Sequence, residues 1–76
     1  MPVMFYEAPH RIMKTLESFV TTSATIPVNW NICIGRELTK MFEEVVQGTP
    51  EEVLQYFIDH PDHVRGEFVV LVQIVE

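Results

Sequence analysis

The chain has 76 residues, one domain at most, with 47% hydrophobic residues and a net charge of −6. That apolar content is too high for a disordered chain. The surplus of acids argues against a general nucleic-acid or anionic-membrane binder, which needs an excess of Lys and Arg.

The first segment, Pro2 to Tyr6 (PVMFY), reads as a short strand, apolar enough to be covered on both faces. Pro9 suits the first turn of a helix. From there Ile12, Met13, Leu16, Phe19 and Val20 recur at helical spacing, with Arg11, Lys14 and Glu17 elsewhere on the wheel. The helix is expected to fade in TTSAT, Thr21 to Thr25, where β-branched and cap-type residues gather. Pro27 marks a loop. Trp30 to Gly35 (WNICIG) is a second strand, with Cys33 expected as a buried, inert thiol. A lone cysteine excludes an internal disulfide and fits a reducing compartment.

The pattern of RELTKMFEE leaves its state open. Glu43 to Gln47 is a third strand, closed by Gly48. Thr49-Pro50-Glu51-Glu52 is a helix start, with Thr as N-cap, Pro at the first position and Glu at the third. Val53, Leu54, Phe57 and Ile58 form that helix's apolar face, and Pro61 stops it. HPDHVRG is a polar loop, in which His60 and His63 read as solvated rather than as metal ligands, for want of further donors. Glu67 to Val75 (EFVVLVQIV) is the longest strand, apolar enough to lie inside a sheet. The order β-α-β-β-α-β predicts one α/β (α+β) domain over residues 1–76: two helices on a two-layer, mixed sheet of about four strands.

Four of the five cations fall in two stretches, Arg11 with Lys14 and Arg36 with Lys40. Both begin where a strand should end. If those strands run parallel, Tyr6-Glu7 and Arg36-Glu37 share one rim, the usual place for a ligand on an α/β sheet. The bland alternative makes these cations a solvated helix face and an ordinary ion pair. No Ser-His-Asp pattern, CxxC or Gly-rich phosphate loop is present. No apolar run nears the ~20 residues of a membrane span, and the start lacks the basic-then-apolar pattern of a signal peptide.

Three segments carry a resemblance: FYEAPHRI (Phe5–Ile12) with TLE following, GRELTKMFEEVVQGTPEE (Gly35–Glu52), and RGEFVVLV (Arg65–Val72). In this order and spacing they resemble the second half of the tetrapyrrole-methylase superfamily, in the branch of the ribosomal small-subunit RNA cytidine 2′-O-methyltransferases. RELTK followed by FEE and GT is the specific part. The resemblance implies two α/β domains with S-adenosylmethionine between them, a homodimer, a cytoplasmic setting and rRNA as substrate. It makes this chain a C-terminal domain without its N-terminal partner, inactive or nearly so alone and contributing one wall of the cleft.

By position, the resemblance assigns Tyr6, Glu7, Glu37, Leu38, Thr39, Phe68 and Val69 to the cofactor. It assigns His10, Arg11, Arg36 and Lys40 to the substrate, where Arg would fork phosphate. No catalytic residue is assigned and no metal is expected; Glu7, Glu37 and Glu43 are the acids of the motif loops. A corrin or porphyrin substrate, or a non-enzymatic binding or dimerisation module, is the alternative.

Overall fold

The computed structural model describes residues 2–26, 28–38 and 41–75, with the side chains of Leu38, Met41, Phe42, Glu43 and Val75 left aside. Its elements are β1 (Val3–Glu7), α1 (Pro9–Thr25), β2 (Asn29–Leu38), β3 (Met41–Gly48), α2 (Pro50–Asp59), a 3₁₀ turn (Pro61–His63) and β4 (Glu67–Val75).

The strands form one sheet in the order β1-β4-β2-β3. β4 lies inside it, as its apolar run requires. Two split βαβ units interlock: β1 and β2 run parallel with β4 between them, and β3 and β4 with β2 between them. Every ladder is consequently antiparallel, where a mixed sheet was expected. The parallel strands exist but are never neighbours.

Both helices rest on one face of the sheet. Ile12 and Leu16 of α1 and Val53 and Phe57 of α2 meet Ile32, Ile34, Phe68, Val70 and Val72 from the strands. Each such burial contributes about 1.5–3 kcal/mol before entropy is charged. Phe57 and Phe68 lock edge-to-face at 5.7 Å and 87°.

α1 does not fade in TTSAT but runs through Thr25. The hydroxyls of Thr21, Ser23 and Thr25 donate back to the carbonyls of Glu17, Val20 and Thr22 at 2.9–3.1 Å. Those bonds stay within the helix rather than competing with it. Pro27 lies outside the described residues.

α2 starts as its sequence dictates. The Thr49 hydroxyl accepts from the Glu52 N–H at 3.2 Å, and the Glu52 carboxylate accepts from the Thr49 N–H at 2.9 Å. Gly48 gives this box its room, since a Cβ there would stand 2.8 Å from Glu52 Oε1. Ile58, expected on the apolar face, is 52% exposed. The turn into β4 passes through Gly66 at φ 82°, a left-handed conformation that suits glycine.

The undecided RELTKMFEE segment is the end of β2 and the start of β3. Their pairing shifts register between Arg36 and Glu37, a bulge of the kind that re-aims side chains. β1 is an edge strand with no layer on its second face, so it is not covered on both sides: Met4 and Tyr6 on that face are 68% and 70% exposed. Cys33 likewise sits half-buried on that open face rather than in the core.

Candidate site at one end of the sheet

The register brings the strand-end residues into rows. Glu7, Phe68, Arg36 and Glu44 pair in succession across β1, β4, β2 and β3. The adjacent row is Tyr6, Val69, Gly35 and Val45, and Glu37 pairs with Glu67 beyond. The predicted rim therefore exists: Tyr6, Glu7, Arg36, Glu37, Leu38, Phe68 and Val69 share one end of the sheet. His10 and Arg11 stand beside it on the exposed first turn of α1. Thr39 and Lys40 lie outside the described residues, and so does the side chain of Glu43.

Period-two alternation splits these residues between the two faces. Glu7, Phe68 and Arg36 point to the helix side, and none of the three is free to meet a ligand as expected. Glu7 joins the strand to the helix. Its carboxylate accepts from the Thr15 hydroxyl at 2.7 Å and from the Ala8 N–H at 3.3 Å, with Arg11 Nε at 3.7 Å. Ala8, the N-cap, makes no side-chain cap, and Glu7 accepts instead from the N-cap residue's own N–H. Phe68 is fully buried in the core.

Arg36 is 7% exposed, the one buried charged residue among those described. Its Nε donates to Glu44 Oε1 at 3.0 Å, while its buried Nη1 has no partner. The same carboxylate accepts from the Tyr56 hydroxyl at 2.5 Å and from His63 Nδ1 at 3.0 Å. Burial alone would push the Glu44 carboxyl up. The hydrogen bonds from Tyr56, Arg36 and His63 outweigh it and hold the carboxyl below its ordinary value. The Tyr56 hydroxyl is pushed up, chiefly because it donates to that carboxylate.

His60 completes the group. Its ring stacks on Tyr56 at 4.3 Å and 22°, and its Nδ1 lies 2.7 Å from the Tyr56 carbonyl, closing the last turn of α2. His60 and His63 are thus half-buried parts of a hydrogen-bonded cluster, not solvated loop residues. Among the described residues no group of three His, Cys, Asp or Glu is placed to hold a metal ion.

Glu44, Tyr56 and His63 were not legible as a group. They come from β3, α2 and the 3₁₀ turn, and the only sequence signal was the HPDH spacing, which points to metals first. Tyr6, Val69 and Glu37 take the opposite, open face, where Tyr6 presents an exposed ring. No described helix is long and apolar enough to cross a membrane.

Comparison with known proteins meets the resemblance carried by the three motif segments. The chain is similar to the C-terminal part of curated proteins named ribosomal RNA small subunit methyltransferase I. It is 41% identical over 71 residues to the one from Bacillus subtilis, covering 93% of this chain and 22% of that protein. It is 38% identical over 66 residues to the one from Borrelia garinii subsp. bavariensis, covering 87% and 28%. With the Haemophilus influenzae protein the identity is 31% over 71 residues, covering 93% and 24%. The chain therefore spans about a quarter of the length of the curated relatives it matches. No family model matches it.

Proposed function

We propose that this chain is the C-terminal domain of an S-adenosylmethionine-dependent methyltransferase acting on ribosomal RNA, with a ribose 2′-oxygen as acceptor. On this reading an N-terminal domain supplies the rest of the site, and this chain contributes one wall of the cleft. One observation supports the reading: parts of all three motif segments, Tyr6 to Arg11, Gly35 to Leu38 with Glu44, and Glu67 to Val69, lie at one end of the sheet.

The residues there divide by what they have left to offer. Tyr6, Val69, Glu37 and the backbone at Leu38, with Thr39, form the cofactor side. An exposed aromatic ring beside a carboxylate suits a flat base and a sulfonium cation. When bound, that cofactor supplies an electrophilic methyl group, and the acceptor oxygen must be held in line with it. His10 and Arg11, with Lys40 as the resemblance assigns it, form the substrate side, where Arg and Lys meet phosphate. Glu7, Phe68 and Arg36 act from behind: Glu7 fixes α1 and its cations against the strand end, and Arg36 pins the bulged end of β2 to β3. This local patch reconciles RNA contact with an acidic chain, since a field of one sign can be local.

The test is calorimetric titration of S-adenosylhomocysteine into the chain, alone and with the N-terminal half of a related enzyme supplied in trans. Association of the two halves is checked first. Binding only in the mixture is expected, weakened about tenfold by Tyr6→Ala. Because Tyr6 is 70% exposed, that change leaves the stability of the chain itself unaltered. If the halves associate and no binding appears, the chain is an interaction module and the motif residues are structural.

A further inference from the structure

Arg36 and Glu37 are neighbours on β2 that face opposite sides of the sheet. Arg36 points into the helix layer, and Glu37 points to the open face, where it belongs to the proposed cofactor wall. The ladder is weakest between them. Arg36 pairs with Glu44 but Glu37 with Phe42, so β3 carries one residue more than β2 at this step. Beyond it only Glu37–Phe42 and Leu38–Met41 join the two strands. A bulge disrupts the ladder and bends the strand. The sheet's own hydrogen bonds therefore leave the direction of this strand end loosely set, and side chains on the helix side supply the rest.

We propose that Glu44, Tyr56 and His63 are positioning residues of the cofactor wall. They touch no ligand. They stand behind the sheet and, through Arg36, set where Glu37 and the backbone of Leu38 lie on its other side. Glu44 takes the Arg36 Nε–H at 3.0 Å and is itself held by the Tyr56 hydroxyl at 2.5 Å and His63 Nδ1 at 3.0 Å. Tyr56 is held in turn by the stacked ring of His60. The 3₁₀ turn that carries His63 leads into β4, whose Glu67 pairs with Glu37. The cluster thus grips the bulge from both strands that flank β2.

Stability alone does not account for this arrangement. Ile32 and Ile34 precede Arg36 on the same side of β2, and both are fully buried. An apolar residue at position 36 would extend that core. The chain instead buries a guanidinium and leaves its Nη1 without a partner. Exchanging a buried ion pair for apolar groups is often neutral or stabilising, whereas breaking it on one side is costly. What the pair adds over an apolar contact is direction, because a charged hydrogen bond works in one geometry. The role rests on the methyltransferase reading for the identity of the wall's ligand.

The test separates holding the fold from aiming the wall. Arg36→Met combined with Glu44→Gln removes both charges, and the Gln oxygen still accepts from the Tyr56 hydroxyl. Urea unfolding should place this double variant near the unsubstituted chain. Amide hydrogen exchange at Glu37 and Leu38 of the 76-residue chain should nevertheless quicken about tenfold, as local opening does where anchoring is lost. Affinity for S-adenosylhomocysteine, measured with the N-terminal half of a related enzyme present, should fall about tenfold or more, the scale of a small misplacement. Tyr56→Phe repeats the comparison with the ring and its stack kept, and should weaken binding about threefold; it decides the matter if the double variant does not fold. Unchanged exchange, unchanged affinity, or affinity lost only in step with stability would overturn the proposal. Equal binding by the unsubstituted chain and the variants ends this role alone. No binding by the unsubstituted mixture ends the methyltransferase reading and this role together.

Discussion

Glu44 gathers three donors from three elements onto one carboxylate, and its neighbours depend on it. Glu44→Gln keeps the shape and removes the charge, leaving the Arg36 guanidinium buried without its counterion. A loss of about 2 kcal/mol is expected by urea unfolding, the scale of a hydrogen bond to a charged group. The pH dependence carries a sign. The Glu44 carboxyl is held below its ordinary value of 4.5, so the folded chain prefers the ionised form more than the unfolded chain does. The stability this contributes is complete above about pH 4.5 and is lost as pH falls through the lower, folded value. Glu44→Gln should flatten that acid limb of the stability curve, and an unchanged limb would mean other carboxylates carry it. In the core, Phe57→Ala removes a fully buried ring that packs on Phe68 and should cost about 3–5 kcal/mol. A chain of this size has only roughly 4–11 kcal/mol in total, so circular dichroism should show this variant largely unfolded.

At the scale of elements, α2 is the most self-sufficient piece of the chain. Its start is fully written in Gly48-Thr49-Pro50-Glu51-Glu52, and the capping box forms as written. Thr49→Ala should cost about 1 kcal/mol, lowering the melting temperature by about 4–8 °C. Gly48→Ala should disturb the same box from the other side, because its Cβ would crowd the Glu52 side chain. The two substitutions share one partner, so the double variant should lose less than the sum of the singles. Additive losses would show that Gly48 acts through its backbone alone. α1 is held differently: its N-cap is an alanine without a side-chain cap, and Glu7 at the end of the strand before it ties down the helix through the Ala8 N–H and the Thr15 hydroxyl.

For the whole molecule, the consequence of this topology is a sheet covered on one side only. The apolar second face runs into the strand-end rim at Tyr6 and Val69, where uncharged rows give way to cations and carboxylates. Supplying an N-terminal half should restore binding of S-adenosylhomocysteine at the rim.

Most elements were legible because their signals are local. Proline and glycine punctuation bounded α2, an unbroken apolar run marked β4 as an interior strand, and helical spacing marked Ile12 and Leu16 as core. Parts of the motif segments came together at one end of the sheet for the same reason, since Tyr6-Glu7, Arg36-Glu37 and Glu67-Phe68 each sit at a strand terminus. Three features were not local and could not be read this way. Whether β1 is covered depends on which side both helices take. The burial of Arg36 depends on a carboxylate eight residues on, across a bulged ladder, and on a tyrosine and a histidine from two further elements. The exposure of Cys33 depends on register, since one residue of slip would turn it inward. The sequence by itself determined the order of the elements, the start of α2 and which residues cluster at strand termini, because caps, turns and periodicity act over a few residues. Only the tertiary structure decided which of those residues stay free to meet a ligand, because burial and pairing arise between segments distant in the chain.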